Sequence, residues 1–211
     1  PTATSLNVLT GNISTSPLIN LTSTLNLTAF IEGYWNGNNT MVPVLANQSI
    51  SANPTDCDII NVELHEAISP FNLVASTQTM LLQNGSATCI FPFVIGDFYI
   101  AVKHRNAIET WSANPVAMGF NSTSYNFSNA ANKAYGNNMR EVSAGVWAFY
   151  SGDSYKDLNI DLLDVDQVRH DVLLFSYGNF DTDINGDGNV DLLDCDFVNM
   201  NNNNFVYSIT P

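Results

Sequence analysis

The chain has 211 residues, of which 45% are hydrophobic and 11% aromatic, and its formal net charge at pH 7 is −14. The apolar content argues against disorder, and the length fits one or two domains with a buried core. The excess of acid makes nucleic acid and anionic membranes poor partners, and the sequence has no run of about 20 apolar residues that could span a membrane.

The first 23 residues are rich in Ser, Thr and Asn, with two short apolar stretches on either side of Pro17. Residues 6–8 and 18–21 could each form a strand, because Pro17 breaks the chain between them. A polar terminus frays unless it is held. We therefore predict that residues 1–23 form a strand-forming segment that docks on its own domain or is donated as a strand to a neighbouring copy.

Residues 24–150 show the two-residue period of β-strands and no convincing helical period before residue 128. The alternation of apolar and polar residues is clearest in three stretches, residues 25–32, 60–65 and 98–105. The dipeptide Asn84-Gly85 separates two strand-like stretches and predicts a two-residue hairpin. About seven strands joined by polar turns predict an antiparallel β-sandwich, immunoglobulin-like or prealbumin-like.

Residues 183–194 carry oxygen-bearing side chains at the spacing of a calcium loop. Calcium takes six to eight oxygen ligands, which one loop supplies from positions 1, 3, 5, 7, 9 and 12 around a glycine at position 6. Gly188 occupies position 6, and we expect Val190 to point into the core. The predicted ligands are Asp183, Asn185, Asp187, the backbone carbonyl of Asn189, Asp191 through a water, and Asp194 with two oxygens.

The same pattern occurs 30 residues earlier, in residues 153–164, with two departures. Tyr155 stands at position 3, where it is a poor ligand, and Leu158 stands at position 6, where leucine resists the positive φ of a tight bend. The candidate ligands of this first loop are Asp153, Asp157, Asn159, Asp161 and Asp164. We expect calcium in the second loop, and whether the first loop holds metal stays open.

Each loop is followed by a matching helical stretch, LLDVD in residues 162–166 and LLDCD in residues 192–196, so the unit is duplicated. The identical leucine pairs at the start of these stretches have two readings. They could contact a partner, or they could form the apolar face that packs the helices together, and helix patterning favours the second reading.

The three cysteines also leave two alternatives. Cys57 and Cys89 lie in strand-like stretches and could form a bridge between two strands, or all three cysteines could be reduced, since their number does not decide the redox state. Cys195 matches Val165 of the other repeat, which predicts a buried apolar role.

Residues 152–211 resemble a dockerin-type calcium-binding domain, in which two loop–helix half EF-hands pack as a pair. A wider likeness, over residues 24–211, is to the C-terminal region of large secreted surface proteins of the Bacteroidetes and Ignavibacteria type. The stretches that carry it are LNLTAFIEGY at 25–34, VKHRNAIETWS at 102–112, AYGNNM at 134–139 and FVYSITP at 205–211. The resemblance implies a secreted, extracellular or cell-surface module with a β-sandwich, residues 24–150, and a small α dockerin-like calcium-binding domain, residues 151–211.

The sequence lacks the common catalytic signatures of hydrolases, zinc proteases, phosphate-binding loops and redox dithiols, so we predict a non-enzymatic protein. The first hypothesis is a calcium-stabilised structural subunit of an extracellular assembly or filament, whose partner is itself in a head-to-tail contact or another surface protein. One alternative is a dockerin-type module that anchors to a cohesin-like partner through loop positions 10 and 11, the two leucine pairs. Another is a carbohydrate-binding sandwich that presents Tyr34 and Trp35. Eight Asn-x-Ser/Thr sequons before residue 129 leave glycosylation open.

Overall fold

The computed structural model describes residues 21–211, so the predicted N-terminal segment, residues 1–23, lies outside the described residues except for its last three. Of these, Thr22 and Ser23 belong to the first strand of the sandwich, where Ser23 is buried. The boundary predicted at residue 24 therefore falls within a strand.

The described part of the chain is mostly β, as predicted. Its strands are β1 Thr22–Thr28, β2 Trp35–Gly37, β3 Thr40–Met41, β4 Asp56–Glu66, β5 Leu73–Leu82, β6 Ser86–Pro92, β7 Gly96–Lys103, β8 Thr110–Trp111, β9 Val116–Met118, β10 Thr123–Asn126, β11 Arg140–Ser143 and β12 Val146–Ala148. Its α-helices are α1 Val44–Asn47, α2 Leu162–Leu173 and α3 Leu192–Asn203, and 3₁₀ turns lie at Ala131–Lys133 and Tyr135–Asn137. None of the helices in residues 21–211 is long and apolar enough to cross a membrane.

Two sheets form the sandwich. One has the strand order β10-β1-β6, and the other has the order β5-β4-β7-β8 with β9 also paired to β7. All these pairings are antiparallel except that of β1 with β10, which is parallel. The alternation predicted for residues 25–32 is confirmed as far as Thr28, where β1 ends, with Leu25 and Leu27 buried and Asn26 exposed. Beyond the strand it is wrong, since Phe30 and Glu32 are buried as well as Ala29 and Ile31. The two-residue period of the side chains thus predicts which residues of β1 face the core.

The turn at Asn84-Gly85 is present, but the predicted hairpin is wrong. Strand β5 pairs with β4, whereas β6 pairs with β1 in the other sheet, so the turn is a corner between sheets. Gly85 has a φ of +80°, and a Cβ there would lie 2.7 Å from the carbonyl oxygen of Ala29. The turn therefore packs against Ala29, just after β1, and β6 continues along β1 instead of pairing with β5.

All three cysteines are free and buried, so the Cys57–Cys89 bridge is not formed. Cys195 lies in a small core between the helices, as its alignment with Val165 predicts. Burial raises the pKa of the Cys89 thiol to about 12, so this group is a packed apolar side chain and not a reactive one.

Helices α2 and α3 form the duplicated units that the sequence predicts. Each helix begins after an aspartate in a capping box, Asp161 with Asp164 and Asp191 with Asp194. The end of each unit pairs with the loop of the other, through the bridges Tyr177–Asn189 and Asn159–Tyr207. The two bridges are therefore equivalent, because in each one the end of one unit pairs with the loop of the other.

The helices pack through Val165, Val168, Cys195 and Val198, all of which are buried. The reading that the leucine pairs pack the helices together is wrong, because all four leucines are exposed: Leu162 by 66%, Leu163 by 49%, Leu192 by 70% and Leu193 by 58%. The inward residues of each helix are three apart and share one face, whereas the two leucines that begin each helix point to solvent.

Candidate metal centre

The second loop has the backbone course that its sequence predicts. Gly186 and Gly188 have φ values of +72° and +88°, the left-handed region that glycine adopts without steric cost. Val190 is buried in the small core, as predicted. This bend brings the two ends of the loop, Asp183 and Asp194, into the interior, where both side chains are fully buried.

Asp194 is held from three sides by backbone N–H groups. Its Oδ1 accepts from Ile184 at 2.8 Å and Asn185 at 3.0 Å, and its Oδ2 accepts from Asp191 at 2.8 Å. Asp183 is held on one oxygen only, since its Oδ2 accepts from the Gly188 N–H at 3.1 Å.

The remaining predicted ligands line the turn between these ends. Asn185 Oδ1 accepts from the Asp187 N–H at 2.8 Å, and Asp187 Oδ1 accepts from the Asn189 N–H at 2.8 Å. Asp191 caps α3 by accepting from the Leu193 N–H at 2.7 Å. These hydrogen bonds hold the predicted ligand residues in successive tight turns between Asp183 and Asp194.

The electrostatics of the second loop fit a hard cation. Burial raises the pKa of Asp183 to about 7 and that of Asp194 to about 6. The Oδ1 atom of Asp183 is buried and has no hydrogen-bond partner. An unpaired buried carboxylate oxygen is costly, and a divalent cation would satisfy it.

No group of three or more His, Cys, Asp or Glu side chains in residues 21–211 is spaced as a ready-made metal cluster. The predicted site also uses amide and backbone carbonyl oxygens, which such a group leaves out, but its three direct carboxylates, Asp183, Asp187 and Asp194, are not gathered into one group in the described residues. The donor set fits calcium, and calcium binding itself stays a prediction.

The first loop repeats this hydrogen-bonding scheme. Asp164 is fully buried, and its carboxylate accepts from the N–H groups of Tyr155 and Asp161 at 2.9 Å each. Asp153 accepts from the Asp157 N–H at 3.1 Å, and burial raises its pKa to about 7 with help from the neighbouring carboxylates. Asn159 donates its N–H to Asp157 at 3.0 Å.

The departures in the first loop do not change its backbone course. Leu158 adopts a φ of +72° and Lys156 a φ of +61°, at the positions where the second loop has glycine. Left-handed backbone costs a residue with a Cβ about 1–2 kcal/mol, so the first loop is formed with strain. Tyr155 is 58% exposed, which supports the expectation that it is a poor ligand.

The sandwich contacts the second loop and the residues just before it through side chains that no sequence pattern groups together. The side-chain amide of Asn106 donates to the Asp183 carbonyl at 2.9 Å, and Arg105 donates to the Phe180 carbonyl. A Cβ on Gly33 would lie 2.1 Å from the Ile184 carbonyl oxygen, so only glycine allows this approach. These partners lie more than 70 positions apart in the chain, and no local pattern could have found them.

The proposed carbohydrate platform at Tyr34 and Trp35 is not formed. Tyr34 is fully buried, and its hydroxyl donates to Asp58 at 2.9 Å. Trp35 is half-buried and packs edge-on against Phe30, with ring centroids 4.9 Å apart. The pair therefore cannot present two rings to a sugar.

No family model matches the chain, and no curated protein matches it. Among solved structures, the chain is similar to a C-terminal and an N-terminal interface mutant of a type II cohesin–X-dockerin complex from Acetivibrio cellulolyticus. Each is 16% identical over 85% of this chain and 94% of the other, with TM-scores of 0.49 and 0.48. Likeness at this level does not establish a family.

Proposed function

We propose that the chain is a non-enzymatic, secreted protein–protein interaction module that anchors to a partner through its calcium-stabilised loop–helix pair. The observation that carries the proposal is that the same apolar positions are exposed in both repeats. The first turns of α2 and α3 present the two leucine pairs, and the ends of the two units present Phe175 and Tyr177 in one and Phe205 and Tyr207 in the other.

The exposure in the loop–helix pair differs from that in the sandwich in being repeated at the same positions of both units. Soluble proteins leave single apolar side chains in water, but contiguous apolar patches mark interaction sites. Eight large apolar side chains at matching positions of two small units are not single accidents. Their duplication indicates a surface that both repeats present to the same kind of partner.

The two phenylalanines add a second argument. Phe175 is 89% exposed with a φ of +55°, and Phe205 is 84% exposed with a φ of +54°. Positions that end a helix in the left-handed region ordinarily hold glycine or asparagine. A bulky aromatic residue there is costly in both repeats, and such strain is characteristic of functional sites.

The charge around these side chains defines the chemistry of the partner. Residues 151–211 hold 12 of the 20 acidic residues and two of the six Lys and Arg residues of the chain. A partner with an apolar surface and a basic rim would therefore complement the module. The resemblance to dockerins implies a cohesin-like β-sandwich as that partner.

Calcium would supply positive charge to the buried carboxylates, of which Asp183 has Arg105 as a cationic neighbour. Asp183 and Asp194 would hold it in the second loop, and Asp153 and Asp164 in the first. The protein's own contribution is to fix these carboxylates by backbone hydrogen bonds and so to set the positions of the leucine pairs that follow each loop.

The filament hypothesis depends on residues 1–23 and stays a prediction, since all but three of them lie outside the described residues. The binding experiment described next also tests the filament hypothesis. A strand donated between copies would produce polymers whether or not the leucine pairs are intact.

The test measures binding of the full chain to a type II cohesin module by surface plasmon resonance, with millimolar calcium and with chelator. We expect calcium-dependent binding, which is lost when Leu162, Leu163, Leu192 and Leu193 are all replaced by Asp. The matched control replaces Leu73 and Ile90, exposed apolar residues of the sandwich, by Asp and should bind normally. Unchanged binding by the fourfold variant would contradict the proposal, and polymers in light scattering would favour the filament hypothesis.

A further inference from the structure

We propose that Gln48, a side chain of the sandwich, is a positioning residue of the second cation site. The proposal rests on the calcium role proposed above, which it deepens by making the site a composite of two distant parts of the chain. Its basis is the contact between the Gln48 amide and the carboxylate of Asp183 at loop position 1.

The second loop is shaped to receive the short helix α1 and the residue after it. A Cβ on Gly186 would lie 2.4 Å from Cγ2 of Val44 and 2.9 Å from the Tyr34 ring. A Cβ on Gly188 would lie 3.5 Å from Nε2 of Gln48. Glycine at loop position 4 thus allows the close approach of the sandwich, whereas at position 6 a Cβ would only reach ordinary contact with Gln48 and glycine serves the bend of the loop.

The two carboxylate oxygens of Asp183 differ in their hydrogen bonds, and the Gln48 amide contributes to that difference. Its Nε2 donates to Oδ2 at 3.0 Å, and the Gly188 N–H donates to the same oxygen. Oδ1 receives no hydrogen bond, although it is buried. One oxygen is therefore held by the protein, and the other is left for a cation.

The orientation of the amide follows from the same contact. With nitrogen and oxygen exchanged, two acceptor oxygens would face each other at about 3 Å, which is unfavourable. In the observed orientation Oε1 of Gln48 is buried without a partner. An unsatisfied buried oxygen costs free energy, so the side chain keeps its hydrogen bond to Asp183 in spite of that cost.

The first loop has no equivalent of this contact in the described residues. Asp153 accepts from the backbone of its own loop, and no sandwich side chain in residues 21–211 donates to it. Groups that orient a metal ligand through a hydrogen bond commonly contribute a factor of about 10–100 in metal affinity. We therefore expect the second site to be the tighter one, partly because the sandwich supports it.

The experiment is calorimetric titration of the full chain with calcium, well below its melting temperature. The variant Gln48→Met removes the donor while keeping a side chain of similar length against Gly188, and Gln48→Glu replaces the donor with an acceptor. Gln78→Met, at an exposed glutamine of β5, is the matched control. The variants are measured with the first loop intact and in an Asp164→Ala background that leaves the second loop to bind.

We expect Gln48→Met and Gln48→Glu to weaken calcium binding at the second site by about 10-fold or more, with no change at the first site or in the control. A merely structural role would lower the melting temperature in chelator but leave the affinity of the folded protein unchanged. Wild-type affinity in Gln48→Met, or tighter binding in Gln48→Glu, would overturn the positioning role. A parent protein that takes up calcium at neither loop would overturn the calcium role itself, and this proposal with it.

Discussion

Leu158 has a backbone conformation that is unfavourable for a residue with a Cβ atom. It stands where the second loop has glycine, and it adopts the same left-handed backbone at a φ of +72°. Its side chain is 43% exposed, so it gains little from burial in return. The first loop thus has the backbone shape of the second although leucine stands in the place of glycine.

We predict that Leu158→Gly stabilises the protein by about 0.5–1 kcal/mol. Relief of the left-handed strain, about 1–2 kcal/mol, exceeds the greater freedom of glycine in the unfolded chain. The measurement is the free energy of unfolding in urea at fixed calcium. Arg169→Gly, at an exposed position inside α2, is the control and should destabilise by about 1 kcal/mol. Destabilisation of similar size in both variants would show that Leu158 is not strained.

Asp58 is the centre of a buried ionic cluster in the sandwich. Its carboxylate lies 2.7 Å from Nε of Arg105 and 3.1 Å from Nε2 of His104, and it also accepts from the Tyr34 hydroxyl. Burial alone would raise the pKa of Asp58, but His104 and Arg105 outweigh it and hold the pKa well below its usual value.

The lowered pKa of Asp58 predicts how its contribution to the free energy of unfolding changes with pH. A carboxylate with a depressed pKa in the folded state stabilises the fold above its unfolded pKa, near 3.8, and loses that contribution as the pH falls towards the folded pKa. Asp58→Asn should cost about 3 kcal/mol at neutral pH, because Arg105 is left buried without its partner. Urea unfolding should show this difference shrinking as the pH falls below about 4, and a difference independent of pH would contradict the assignment.

The two helices show what a repeating pattern can and cannot predict. The spacing of acids and amides predicts both loops and the start of each helix, because ligand spacing and capping are local properties. The apolar period of a helix does not predict which of its apolar residues pack against the other helix. The leucine pairs and the inward valines share that period, and only the tertiary structure separates them.

We predict that the two kinds of position in α3 respond differently to truncation. Val198→Ala should destabilise the protein by about 2 kcal/mol, since it removes buried methyl groups and leaves a cavity. Leu192→Ala should change the free energy of unfolding by less than about 0.5 kcal/mol, because this leucine is exposed. Urea denaturation measures both, and a larger loss at Leu192 would mean that the first turn of α3 is packed.

At the scale of the whole molecule, the loop–helix pair is joined to the sandwich by buried polar contacts. The side-chain amide of Asn201, on α3, donates to Glu32 and to the Ser151 carbonyl, at 2.7 Å each. On the other side, Asn106 donates to the backbone of the second loop and Gly33 packs against it. The sequence indicates a sandwich followed directly by paired loops, but it could not predict this interface, whose partners lie up to 169 positions apart.

This interface has a consequence for calcium. A cation bound in the second loop would stabilise a loop that the sandwich also contacts, so its effect should reach the unfolding of the full chain and not only that of residues 151–211. By mass action, a ligand at 100 times its dissociation constant stabilises the folded state by about 2.7 kcal/mol.

The most direct measurement is the melting temperature of the full chain in millimolar calcium and in chelator, for the wild type, Asp194→Ala and Asp164→Ala. Because both substitutions remove a buried carboxylate, the quantity to compare is the increase that calcium gives each protein. We expect a clear increase in the wild type, most of which is lost in Asp194→Ala and less in Asp164→Ala. A wild-type melting temperature that does not respond to calcium, or an equal loss in the two variants, would contradict a calcium-stabilised module whose second loop is the stronger site.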